Sequence, residues 1–304
     1  MIEKFLSFPG KAAIRSILIG RAPGSTLQSE DALTRLLAPS DPHPVELVNG
    51  EGPSAVVLSC EHAGRAVPAR IGDLGVSPAD MERHIAWDVG AERVSRHLSA
   101  LLDAPLVLQR YSRLVVDCNR PFDAPDCFPE ISDGTAVPSN AGLSPSARRR
   151  RFEEIHRPFH EALAGVLERR SGKTTVLVAV HSFTPQLAGG APRPWHLGVL
   201  FNRDRRLADR FLWAFRERNP DVPAAANQPY IVDDTSDYTI PVHGEARGIP
   251  HLLLEIRNDL IADGSGQARW ATLVAEALAA AIKDEGHAVH GQTFSRYARD
   301  PARP

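Results

Sequence analysis

The feature that most constrains this chain is a set of short apolar runs that lack polar alternation and end on polar residues. Residues 55–59 read AVVLS and lead into Cys60-Glu61-His62; residues 174–180 read TTVLVAV and stop at His181; residues 251–256 read HLLLEI and contain Glu255. Residues 105–109 (PLVLQ), 113–117 (RLVVD) and 197–201 form three more such runs. A strand with one wet face alternates, whereas a strand buried on both faces does not, so these runs predict a parallel or mixed sheet covered on both sides. Helical spacing fills the intervals, at 88–102, at 206–218, and in the stripe Trp270, Leu273, Val274, Ala277, Leu278 and Ala281, with Gly286 as a stop. Ser144-Pro145 reads as a helix start, with serine as the cap and proline in the first turn. That helix runs to about Arg170 and should kink or split at Pro158. Strands alternating with helices predict an α/β fold: a three-layer α/β/α single domain with a mixed, mostly parallel sheet.

A chain of 304 residues has room for one such domain. Residues 1–44 are weakly patterned and read as an N-terminal extension, with Ser40-Asp41-Pro42-His43-Pro44 as linker. The domain then spans 45–290, and 291–304 reads as a tail. The composition, 43% hydrophobic and 24% charged, supports an ordinary core without disulfides or a structural metal. A net charge of −2 argues against nucleic acid or a membrane surface as partner, so the run Arg148–Arg151 reads as a solvated face. Three cysteines without a CxxC pair suit a reducing compartment, which points to the cytoplasm. No apolar stretch reaches the roughly 18 residues of a membrane span, and the first twenty residues lack the pattern of a secretory signal. The oligomeric state is not legible.

His62, His181 and Glu255 stand at the ends of three different apolar runs. Ligands of open α/β sheets bind at the carboxyl ends of the strands. Two imidazoles and a carboxylate are the usual ligands of a catalytic zinc, and a further carboxylate must then move the proton. Glu61, Asp88, Asp117 and Glu255 are all available for these roles. Arg113 and Arg120 flank the apolar run 114–116 and suit bidentate capture of a substrate carboxylate. His156 and His160 are four apart, but no HExxH pattern joins them and Pro158 lies between, so a second metal site is disfavoured. Gly189-Gly190 lacks the phosphate-cradle pattern and reads as a loop beside the site.

Several motifs, in order over about residues 45–265, resemble the N-formylglutamate amidohydrolase family. They are Ser59-Cys60-Glu61-His62-Ala63-Gly64, the stretch from His84 to Asp88, Ser112 to Pro121, Arg157-Pro158-Phe159-His160, His181-Ser182, Asp237 to Gly244 and Leu254-Glu255-Ile256-Arg257. The resemblance implies a phosphorylase/hydrolase-like domain, one divalent ion (Zn2+), and hydrolysis of a small-molecule N-acyl amino acid. The expected reaction takes N-formyl-L-glutamate to formate and L-glutamate, a step of histidine breakdown. Carried over by position, His62 and His181 become metal ligands and Glu255 the general base. Asn119 and Arg120 resemble the pair that holds a substrate carboxylate, with Arg113, His160 and His243 counted among the substrate-binding residues. The related zinc carboxypeptidases draw two ligands from an HxxE stretch, but here Arg65 stands where that glutamate would be. Asp88 is therefore the first choice for the third ligand and Glu61 the second, because neighbours on a regular strand point to opposite faces. Cys-Glu-His also stands where many members have Pro-His, which leaves room for another acyl substrate.

Overall fold

The computed structural model describes residues 35–283. A seven-stranded sheet is built from β1 (Val45–Val48), β2 (Val56–Cys60), β3 (Leu106–Gln109), β6 (Val176–Phe183), β7 (Leu197–Leu200), β8 (Ala224–Ala226) and β9 (His251–Arg257). Strands β4 (Ile131–Ser132) and β5 (Thr135–Ala136) form a separate hairpin. The order across the large sheet is β1-β3-β2-β6-β9-β7-β8. Its centre, β3-β2-β6-β9, is parallel, β1 is antiparallel to β3, and β7 is antiparallel to β9.

The unalternating runs have the predicted cause. Every residue of β2 and β6 is buried. Successive side chains of a strand face opposite ways. Accordingly, Val56 and Leu58 join the core under α1 (Ala91–Leu102), α4 (Arg206–Arg218) and α5 (Gly264–Lys283), whereas Val57 and Leu177 face Phe159 and Leu163 of α3 (Arg157–Glu168). Ala179, Leu253 and Leu200 lie on that second face in a small cluster of their own. By the same alternation, His181 follows Ala179 and Glu255 follows Leu253 onto that face.

The Ser144-Pro145 signal begins helix α2 (Pro145–Arg151), where Ser144 Oγ accepts from Ala147 N at 3.2 Å. The split expected at Pro158 is a π-turn over Phe152–His156, and Pro158 falls in the first turn of α3, where a missing N–H is not felt. Helix α1 starts at Ala91, three residues later than expected, because Gly90 takes φ +83 beneath Ile261. A Cβ at Gly90 would stand 2.3 Å from Ile261 O. Asp88 is thereby left in the connection, where its N–H donates to His62 O at 2.9 Å.

The run 113–117 is not the strand its sequence suggested. Leu114, Val115 and Val116 are buried, but the backbone turns there, with Val115 N donating to Ser112 O at 2.9 Å. Side chains satisfy the groups a ladder would have paired: Ser112 Oγ accepts from Leu114 N, Asn140 Nδ2 donates to Leu114 O, and Arg151 Nη1 donates to Val115 O. Order begins before the expected linker, since Leu36 N and Leu37 N both donate to the Glu154 carboxylate. The helix stop at Gly286, the tail and most of the N-terminal extension lie outside the described residues. Among those described, no helix is long and apolar enough to cross a membrane.

Candidate metal and substrate site

Glu61 and His62 leave the end of β2 on a turn, so the strand rule that would have sent them to opposite faces does not bind them. His181 comes from β6, where it pairs in register with Glu255 of β9. His62, Asp88 and His181 place one ligand atom each within 4.8 Å of one another, and all three are buried. His62 Nδ1 is 3.1 Å from His181 Nδ1, and Asp88 Oδ2 is 2.9 Å from His181 Nδ1 and 3.4 Å from His62 Nδ1. Ser182 N donates to the same Asp88 oxygen at 3.1 Å.

The far edge of each ring has its own carboxylate. His62 Nε2 donates to Asp117 Oδ1 at 2.7 Å, and His181 Nε2 stands 2.8 Å from Glu61 Oε2. In the neutral tautomers that direct the Nε2 protons outward, both Nδ1 atoms would turn lone pairs inward. In that state two imidazole lone pairs and a carboxylate oxygen converge as a donor set for a cation; without one, burial opposes charge on His181 but Asp88 and Glu61 raise its proton affinity well above the usual imidazole range. The charges agree. Three buried carboxylates, Glu61, Asp88 and Asp117, gather beside the partly exposed guanidinium of Arg113, so negative charge is in excess there. The buried His/Asp/His group can bind a metal ion.

The titration behaviour has the same origin. Burial works to raise the Asp88 carboxyl, yet His62 and His181 overcome it and hold it below the usual range. Burial likewise opposes ionisation of Asp117, but Arg113 and His62 hold that group well down. Glu255 has no such partner close by. Burial raises its carboxyl to about 8, tempered by His181 and reinforced by the negative charge of Asp88.

A cavity of about 310 Å³ opens over the cluster. Glu255, Arg113, Asn119 and Arg120 line it together with His62, Asp88 and His181. Arg113 is engaged there: Nε and Nη2 reach Asp117 Oδ2 at 2.9 and 2.6 Å, and Nη1 lies 3.4 Å from Asp88. Asn119 donates Nδ2 to Asp237 Oδ1 at 3.0 Å, and its Oδ1 accepts from Thr239 N at 3.0 Å. Arg120 donates Nε to Asp126 and Nη1 to Ser236 O, both at 2.7 Å. His160 and His243 do not line this cavity; they lie buried beside the 117–120 turn. His243 Nε2 donates to His160 Nδ1 at 3.0 Å, His160 Nε2 donates to Cys118 O at 2.7 Å, and His156 Nε2 donates to Arg120 O at 3.0 Å. The i, i+4 histidines thus brace the turn that carries Asp117, Asn119 and Arg120.

The sequence reading did not assign Glu61 and Asp117 to the outer edges of the two rings, and nothing in one chain marks such a contact. Tyr230 and Ile231 also reach the cavity without a sequence signal. They arrive because β7 has glycine opposite Glu255: a Cβ at Gly198 would stand 1.8 Å from Gln228 O, so only glycine lets that segment cross.

The family model for N-formylglutamate amidohydrolase matches residues 54–262, which include every residue of this cluster. The chain belongs to the N-formylglutamate amidohydrolase family. A gene product of Agrobacterium tumefaciens of solved structure is 35% identical, with a TM-score of 0.79 over 83% of this chain and 100% of that one. The N-formylglutamate amidohydrolase of Ralstonia eutropha JMP134 is 20% identical, with a TM-score of 0.61 over 81% and 100% of the two chains, a likeness of fold. No curated protein sequence matches the chain. Membership of the N-formylglutamate amidohydrolase family makes the chain a hydrolase acting on amides, with an acyl amino acid as its class of substrate.

Proposed function

We propose that this protein hydrolyses N-formyl-L-glutamate to formate and L-glutamate with the help of one divalent ion, zinc by the character of its donors. The observation that carries the reading is the convergence of His62 Nδ1, His181 Nδ1 and Asp88 Oδ2 beneath a cavity that also holds Glu255. Two imidazoles and one carboxylate are the donor set of a catalytic zinc with an open position. When bound, such an ion acidifies water and polarises a carbonyl.

The chain supplies the rest. Glu255 takes a proton from the attacking water and passes it to the leaving amine. Burial raises the proton affinity of its carboxyl, which suits a group that must both accept and give a proton. Glu61 and Asp117 hold the two rings in the tautomer that turns Nδ1 inward. Arg120 receives the α-carboxylate. Among the described residues its Nη2 makes no hydrogen bond, and its remaining donors fix the guanidinium in place. Arg113 and Asn119 keep the walls in position, and His160 and His243 act on substrate through the turn they support. The reaction places the enzyme in histidine breakdown, and the three buried free cysteines suit the reducing cytoplasm.

The test is hydrolysis of N-formyl-L-glutamate by purified protein before and after exhaustive chelation. Activity should vanish with the metal and return with zinc. Turnover that persists in metal-free protein would sink the mechanism.

A further inference from the structure

We propose that Arg193 is the specificity residue of this site and receives the side-chain carboxylate of an acidic N-acyl amino acid. The inference rests on the amidohydrolase reading above and adds the origin of its preference.

N-formylglutamate carries two carboxylates, and both must be met by positive charge in a partly buried cavity. The cavity wall meets only one of them readily. Arg113 is already engaged by Asp117 and Asp88. His84 lies 3.3 Å from Asp133. Among the described residues, Arg120 keeps a single nitrogen, Nη2, without a partner.

Arg193, on the connection between β6 and β7, does not itself line the cavity but touches three residues that do. Its guanidinium sits over the rings of Tyr230, at 5.0 Å, and Phe183, at 6.0 Å. Nη1 donates to Tyr230 Oη at 3.0 Å and to Thr184 O at 3.3 Å. Tyr230, Phe183 and Thr184 all line the cavity. The Tyr230 hydroxyl is also near enough to Glu255 and Arg113 to respond to both charges. Among the described residues, no carboxylate pairs with Arg193, and its Nε and Nη2 make no hydrogen bond. A guanidinium held by its face on aromatic rings offers its edge, the part that matches a carboxylate.

The side chain is held ready. Pro192 and Pro194 flank Arg193 and restrict its backbone. Its N–H donates to Pro185 O at 2.8 Å, and its carbonyl accepts from Arg257 Nη1 at 3.4 Å. Arg257 is two residues beyond Glu255 on β9, so the strand that carries the general base also anchors the rim. Arg257 is itself no candidate, because its guanidinium is paired with Asp259.

The decisive substrates are N-formyl-L-glutamate and N-formyl-L-glutamine, nearly equal in shape and different in charge. Zinc-loaded wild type should prefer the glutamate form. Arg193→Gln should raise KM for it by about 10- to 100-fold, the usual worth of a charged hydrogen bond, with kcat within about twofold and the glutamine form unaffected. Arg193→Lys should restore part of the loss. Equal damage to both substrates, or none to either, would overturn the proposal. So would a wild type that handles both equally well, although amide hydrolysis itself would then stand. Hydrolysis of neither substrate would remove the amidohydrolase reading and this proposal with it.

Discussion

Replacing Glu61 by glutamine removes one charge and almost no volume at a position that is 1% exposed. Glu61 Oε1 accepts from Ser59 Oγ at 2.7 Å, and Oε2 faces His181 Nε2 at 2.8 Å. Glutamine keeps an oxygen for the ring N–H but no longer raises the basicity of the imidazole. Loss of such an outer partner costs about 10- to 100-fold in metal affinity, or about 1.4–2.7 kcal/mol. Asp88→Asn is different in kind, because it removes the anionic donor from the group of three. Its loss of affinity should lie well beyond that range. The two ring nitrogens of His181 point in different directions, with Asp88 at Nδ1 and Glu61 at Nε2, so both carboxylates cannot share one ion with that ring. Competition for zinc against a chromophoric chelator measures both variants, and urea unfolding confirms that each is folded. If Glu61→Gln strips the zinc while Asp88→Asn keeps it, the third ligand is Glu61 and the argument from ring edges is wrong.

Glu255→Gln should lower kcat by roughly 100-fold or more and leave zinc content unchanged; loss of zinc would make Glu255 a ligand. Burial holds His156 and His243 down at about 4, so as pH falls below the unfolded value near 6.5 the unfolded chain takes up protons first. Their contribution is complete above that pH and fades toward 4, by about 3 kcal/mol for each group, at about 1.4 kcal/mol per pH unit. In chelated protein, the urea midpoint of His243→Gln should therefore fall less steeply between pH 7 and 5 than that of wild type, and parallel slopes would refute the account. Gly198→Ala should cost about 1–3 kcal/mol of stability, as overpacking does, because its Cβ would stand 1.8 Å from Gln228 O. The shift of 228–231 should also raise KM, and an unchanged urea midpoint would show that the crossing tolerates a methyl group.

The sheet was legible because burial on both faces leaves an unmistakable mark: Val56–Leu58 of β2, Val176–Val180 of β6 and Leu252–Leu254 of β9 hold no polar residue. The run 113–117 carries the same mark for another reason. Its carbonyls are met by Asn140 and Arg151, residues more than twenty positions away, and no local pattern announces them. His62, His181 and Glu255 were visible as polar residues ending apolar runs, whereas Asp88 was one of several available carboxylates, singled out by its place at a helix start and by the resemblance. The carboxylates behind the rings and the arginine at the rim were not visible, because each depends on contacts between segments that only the fold brings together.

The in-register pairing of His181 with Glu255 has a consequence for how such an enzyme can change. The metal ligand and general base proposed above share one rung of the ladder on adjacent strands and are spaced by the sheet itself, about 4.8 Å from strand to strand. The surrounding connections, 184–196 and 227–239, set no part of that spacing. Libraries built in those two segments should therefore yield enzymes with new tastes and old chemistry.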